Sequence, residues 1–397
     1  MRLSRKALAS SVIFRASGLR IIAVVLGVVG SIAIARLGGV AVRGDTSTFM
    51  AITNIVFALI NFDLAQQALR QNRADSEHGA GKRWLAPAWV AYLTVATLVV
   101  ALVWHSRPEV GLIAVGSALL AISMQSGVLT NGFKGPVVMA IAAVVQQGCL
   151  LLFVVVLAWA GHLTTFTAAL AVCGAYAASA LTNLIAHGPA PDRQSPGVLR
   201  LAWDGLSWLP LRFGQVILSR ADTVAVFLLL GSAPAGIYSV GLSLAALVGI
   251  VPAQVSQRTL HQGATGQSVN LRKSLGTAVM LSVACSVPVV VVGYWALLFL
   301  YGREFVSAYP VLVASLPGVA AYSAYQVLAN YTRLFHSARL TSESTVVGVV
   351  LMLVGLAVAI PVLGVTGAAL AYSLASSGAA VYLAWALRRR SVGARLA

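Results

Sequence analysis

Five ionisable side chains, Arg20, Asp63, Arg212, Arg220 and Asp222, fall inside stretches otherwise built for hydrocarbon. The densest case is LSRADTVAVFLLLGSAPAGIYSVG, residues 218–241, where Arg220 and Asp222 open a long apolar run. A guanidinium offers a planar fork of N–H donors that matches a phosphate or a carboxylate. A buried carboxylate can pair with such a cation, and beside water it can take up a proton or a metal cation. At the centre of a bilayer each charge costs roughly 2.5–3.5 kcal/mol on insertion scales, so each should face a partner or a wet cavity.

Spacing limits what these groups can do together. Arg212 and Arg220 are eight residues apart, so one broad helix face can carry both at about 100° per residue. Asp222 points roughly 200° away from Arg220 and makes a poor in-helix ion pair with it. Arg220 lies about 18 Å from the inner end of its helix at 1.5 Å per residue, too deep for easy snorkelling. For Arg20 and Arg212 two readings stay open: snorkelling to the inner headgroups, or facing a shared cleft. Asp63 either sits at the inner interface or lines that cleft near Arg20 or Arg212. Tyr322, Tyr325 and Gln326, at i, i+3 and i+4, share a helix face that suits either helix packing or a wall facing sugars.

These side chains need elements to hold them. Of the 397 residues, 59% are hydrophobic and 9% charged, far from the composition of an ordinary soluble domain. Runs such as LLLFVVVLAWA do not alternate, which excludes a transmembrane β-barrel. About twelve segments reach the roughly 20-residue length of a membrane helix. They are 12–36, 46–68, 84–104, 110–131, 136–160 and 163–187, then 205–231, 235–257, 275–300, 306–331, 341–361 and 364–387. The sequence thus predicts an all-α polytopic membrane protein. Prolines 210, 252, 288, 310 and 317 are expected to kink or interrupt its helices.

The formal charge of +17 comes from 27 Lys and Arg, and position matters more than number. Twenty of them fall at the N-terminus, the C-terminus or the even-numbered loops, against four, Arg36, Arg43, Arg107 and Arg303, in the odd-numbered loops. Basic residues near helix ends stay on the cytoplasmic side, so both termini are expected there and the helix count is expected to be even. That disposition accounts for the basic excess without nucleic acid. The charged start MRLSRKALASSVIFRASGLR runs into a full span, the pattern of a signal-anchor helix.

The segment HGPAPDRQSPGVLR, 187–200, is a plausible linker between two six-helix halves, 1–190 and 200–397. Arg20 precedes Gly39 by 19 residues and Arg212 precedes Gly231 by 19, an offset of 192 between halves. Two halves in the same orientation would enclose a central cleft able to open to either side. No HExxH, GxSxG, Walker A or paired-acid motif is present, and Cys149, Cys173 and Cys285 lie inside apolar segments. No metal, no cofactor and no enzymatic activity are expected.

The run RADTVAVFLLLGSAPAGIYSVGLSLAALVGIVPAQVSQ, with ARLGGVAVRGDTSTFMAITNI, YGREFVSAYPVLVASLPGVAAYSAYQVLANYTRLFHSAR and IPVLGVTGAALAYSLAS, resembles the oligosaccharide flippases of the polysaccharide biosynthesis, or O-antigen transporter, type. These belong to the multidrug/oligosaccharidyl-lipid/polysaccharide exporter superfamily. The resemblance implies a flippase for a polyprenyl-diphosphate-linked oligosaccharide in the cell inner (cytoplasmic) membrane, serving the cell envelope. Its implied partners are the bilayer, the lipid-linked substrate, and a polymerase and glycosyltransferases of the same route. Arg20, Arg212 and Arg220 become candidate diphosphate ligands, with Asp222 at the family's acidic position on helix seven. Two rival readings remain: a multidrug or cation extruder of the same superfamily, and a membrane-embedded glycosyltransferase or polymerase acting on a lipid-linked sugar.

Overall fold

A computed structural model describes residues 2–61, 85–103, 108–134, 136–187, 209–264, 269–335 and 338–396, with the isolated positions 203 and 206. All regular structure among the described residues is helical. The first run, Arg2–Ile60, breaks at Gly39 into α1 (2–38) and α2 (40–60). Then follow α3 (Leu85–Val103), α4 (Pro108–Lys134), α5 (Pro136–Trp159), α6 (Thr165–His187), α7 (Leu209–Leu230), α8 (Ser232–Val248) and α9 (Ile250–Ala264). After α10 (Leu271–Ala296), a π-helical turn Leu297–Tyr301 and a 3-10 turn Arg303–Ala308 lead into α11 (Tyr309–Phe335). The last run, Ala338–Leu396, breaks at Gly364 into α12 (338–363) and α13 (365–396).

Among the described residues eight stretches are long and apolar enough to cross a membrane, or nine when α8 and α9, bent by 51°, count as one broken span. Two of the eight, Gly18–Ile60 and Arg339–Arg389, run to 43 and 51 residues, twice what one crossing needs. Each is divided by its glycine into two spans. With the shorter apolar helix Trp89–Leu102, the twelve expected spans are accounted for.

The turns are tighter than the sequence reading allowed. Gly39 has φ 79°, ψ −178° and Gly231 has φ 92°, ψ −175°. That region of backbone space is open essentially to glycine alone, so one residue breaks the helical run where a loop of several had been expected. Arg43 is therefore not a loop residue: it lies four residues into α2, and its side chain is only 6% exposed. The prolines also differ from expectation. Pro310 and Pro210 occupy second positions of α11 and α7, where a missing N–H is harmless. Pro288 and Pro317 lie within helices, and Pro252 follows the break at Gly249.

The helices pack as two compact units. Unit 1 comprises Met1–Gly39 and Ile52–Pro210, and unit 2 comprises Val40–Ala51 and Leu211–Ala397. Within unit 1, Gln125 of α4 is 2% exposed; its amide donates to the carbonyl and side-chain oxygens of Asn61 (3.3 and 2.9 Å) and lies 3.0 Å from the Tyr92 hydroxyl. Tyr92 donates to the Ile60 carbonyl at 3.0 Å, and Trp89 Nε1 donates to Gln125 Oε1 at 3.2 Å. Side chains thus satisfy the carbonyls that the end of α2 leaves open. Within unit 2, α12 and α13 meet through small residues: a Cβ on Gly355 would lie 3.0 Å from that of Ala371, and one on Gly348 3.0 Å from that of Ala379.

Candidate functional site

A cavity of about 450 Å³ lies within unit 2. Helical periodicity places its walls. From α2 come Arg43, Ser47 and Met50, at i, i+4 and i+7; from α7, Ser219, Arg220 and Thr223; from α8, Ser239, Leu242, Ser243 and Ala246. The break at Gly249 contributes Ile250 and Ala253 of α9, while α11 gives Val319, Tyr322, Ser323 and Gln326 and α13 gives Tyr372. No carboxylate is among these lining residues.

Arg43 and Arg220 are the two cations of the wall. Nη2 of Arg43 reaches Ser243 Oγ at 3.4 Å, and its buried Nε has no hydrogen-bond partner. Neither guanidinium is held in a salt bridge by a described carboxylate. Arg43 is buried and tethered to Ser243, whereas Arg220 is exposed.

The hydroxyls point the other way. Ser47, Ser219, Ser239, Ser243 and Ser323 donate to carbonyls of their own helices, Arg43, Val216, Gly236, Ser239 and Val319, at 2.6–3.1 Å. With its proton so engaged, each hydroxyl presents lone pairs to the cavity and acts as an acceptor. The wall therefore combines two strong donors for an anion with an array of acceptors for O–H groups.

Asp222 lies behind this wall. Leu218, Asp222 and Val226 form an i, i+4, i+8 stripe with 0% exposure, on a different face of α7 from Ser219, Arg220 and Thr223. The Tyr238 hydroxyl of α8 donates to Asp222 Oδ2 at 2.6 Å, and the Thr223 backbone N–H donates to Oδ1 at 2.6 Å, with its hydroxyl 3.3 Å away. The carboxylate ties α7 to α8 and is not among the residues lining this cavity, where it had been expected with the binding residues. Its angular separation from Arg220 was legible in the spacing.

Other expected site residues divide similarly. Arg220, Tyr322 and Gln326 line the cavity. Tyr325 does not: it is 1% exposed and its hydroxyl pairs with Thr345 Oγ1 of α12 at 2.7 Å, because i+3 turns it about 60° off the Tyr322 face. Arg212 is half-buried on α7, and Arg20 is exposed on α1 in unit 1; neither lines the cavity. Asp63 lies outside the described residues. Arg43 was missed because Gly39, Gly44 and the Arg43/Asp45 pair read as a polar loop. The i, i+4, i+7 spacing of Arg43, Ser47 and Met50 was the available signal.

The all-helical membrane architecture of this chain is shared, as a fold, with solved transporters of 13–16% identity. Among solved structures, the lipid II flippase MurJ in an inward closed conformation is similar over 94% of this chain and 87% of its own, with TM-score 0.74 and 13% identity. An inward-facing multidrug resistance MATE family transporter of the MOP superfamily is similar over 94% of each chain, with TM-score 0.61 and 16% identity. A MOP superfamily transporter from Pyrococcus furiosus Vc1 (DSM3638), described as having a binding pocket of reverse polarity, covers 96% of this chain with 95% of its own, at TM-score 0.63 and 13% identity. No protein-family model matches the chain, and no curated protein sequence matches it.

Proposed function

We propose that this chain is a flippase that moves a polyprenyl-diphosphate-linked oligosaccharide from the cytoplasmic to the outer leaflet by alternating access, for export of surface polysaccharide. The observation that carries this reading is the cavity wall: two arginines, no acid, and five serine hydroxyls whose protons are already spent on helix carbonyls. A diphosphate cannot cross hydrocarbon unaided, and fixed guanidinium groups replace its hydration with charge-assisted hydrogen bonds. The acceptor hydroxyls, with Tyr322, Tyr372 and Gln326, suit the O–H groups of the attached sugar. A cationic drug would meet two like charges there and no carboxylate among the described lining residues. The reading carries with it a place in the inner membrane with both termini cytoplasmic, and function as two halves, 1–190 and 200–397.

The test uses liposomes holding the purified chain and a fluorescent polyprenyl-diphosphate-linked oligosaccharide confined to one leaflet. Transfer to the other leaflet by the wild type is expected. Arg43→Ala and Arg220→Ala should each weaken binding roughly ten- to a hundredfold, the worth of a hydrogen bond to a charged group. Export of a rhodamine cation by the wild type, unchanged in Arg43→Ala, would establish the multidrug reading instead; formation of a glycosylated product would establish the enzymatic one.

A further inference from the structure

Arg43 reaches the cavity from a helix that has to be brought unusually close to α8. A Cβ on Gly44 would collide with the Ser232 carbonyl oxygen and come within 2.7 Å of the Gly236 backbone nitrogen. A Cβ on Gly236 would collide with the Val40 carbonyl oxygen. These obstacles are backbone atoms, which cannot swing aside as a flexible side chain can. The contact is also reciprocal. Gly44 and Gly236 are 192 residues apart, as are Val40 and Ser232, and as are the turn glycines Gly39 and Gly231. Each helix therefore presses the same glycine against the same carbonyl of the other, the arrangement of a self-complementary two-fold contact. One residue before Gly44, Arg43 projects its guanidinium to Ser243, seven residues beyond Gly236 on α8.

We propose that the Gly44/Gly236 crossing is a positioning device for anion binding: it lets the backbones of α2 and α8 touch, so that Arg43 enters the cavity with Ser243 as its tether. Gly44, Gly236 and Ser243 are positioning residues that act through Arg43. This inference rests on the anionic-substrate reading given above. At Gly276 an added Cβ meets nothing within 4 Å, which supplies a control of the same substitution type.

Binding of inorganic diphosphate to the full-length protein in detergent micelles, followed by calorimetry, tests it through a double-mutant cycle. Gly236→Ala and Gly44→Ala should each weaken diphosphate binding about as much as Arg43→Ala does, roughly ten- to a hundredfold, while Gly276→Ala leaves it unchanged. Combined with Arg43→Ala, the glycine variants should cost almost nothing further, since effects that pass through one group do not add. A general loosening of the fold would give additive losses, and additive losses, or a folded Gly236→Ala that binds like the wild type, overturn the proposal while sparing the flippase reading. An Arg43→Ala variant that binds diphosphate normally overturns both. Should the glycine variants not fold, Ser243→Ala decides. It removes the tether without a backbone clash and should weaken binding non-additively with Arg43→Ala; unchanged or additive binding refutes the positioning role.

Discussion

Replacing Tyr238 by Phe tests whether Asp222 is a structural clamp or a binding group. The two side chains are both 0% exposed, and their hydrogen bond measures 2.6 Å. Removing the hydroxyl takes from Asp222 Oδ2 the donor it has among the described residues, at a site with 0% exposure. A lost hydrogen bond to a charged or strongly polar buried group is worth about 1.5–3 kcal/mol. The remaining contacts, from Thr223 to Oδ1, are on the other oxygen and cannot compensate. Thermal unfolding of the detergent-solubilised protein should therefore show Tyr238→Phe destabilised by that amount, and Asp222→Ala by at least as much. In the Asp222→Ala background Tyr238→Phe should cost much less, because the pair is coupled. Diphosphate affinity measured below the unfolding transition should stay within about twofold of wild type for Tyr238→Phe, since neither partner lines the cavity. A variant as stable as wild type but with altered diphosphate affinity would refute the clamp and return Asp222 to the ligand-binding group.

Three further substitutions separate packing from binding elsewhere. Gln125→Leu removes a side chain that joins Trp89, Tyr92 and the open end of α2; stability should fall by about 1–3 kcal/mol for each buried group left without a partner, read as a lower melting temperature, with no change in diphosphate affinity. Tyr325→Phe loses its bond to Thr345 and should cost about 0.5–1.5 kcal/mol in thermal unfolding, again without effect on binding, whereas Gln326→Ala, one residue along on the cavity face, should weaken binding of the oligosaccharide carrier and leave stability nearly unchanged.

The apolar runs made the twelve spans legible, because length and composition alone decide what can cross a bilayer. Spacing along a single helix was equally informative: it separated Asp222 from Arg220, and the structure puts them on different faces of α7. What failed was the treatment of the turns. Polar and glycine-rich residues between two apolar runs read as a loop, yet a single glycine in a backbone conformation closed to other residues turns the chain, and the residues after it are already helical. That misjudgement hid Arg43. The assignment of Tyr325 failed for a different reason: i+3 and i+4 flank a helix face on opposite sides, and which flank meets a cavity depends on neighbouring helices that no single-helix pattern contains.

The internal offset of 192 says something more when read residue by residue. It relates Gly39 to Gly231 and Gly44 to Gly236, glycines required for a turn and for a backbone crossing. Of the wall it relates Ser47 to Ser239, but not the arginines: Val28 stands opposite Arg220 and Ala235 opposite Arg43, as Gly30 stands opposite Asp222 and Ala51 opposite Ser243. Backbone contacts of this kind tolerate no side chain in either copy, so both copies must keep their glycines for the contact to form at all. A binding wall carries no such requirement, and a ligand with an anionic end and a hydroxylated remainder is itself asymmetric. The two-fold device of α2 and α8 thus supplies a frame in which one helix delivers an arginine and the other a serine to the same cavity.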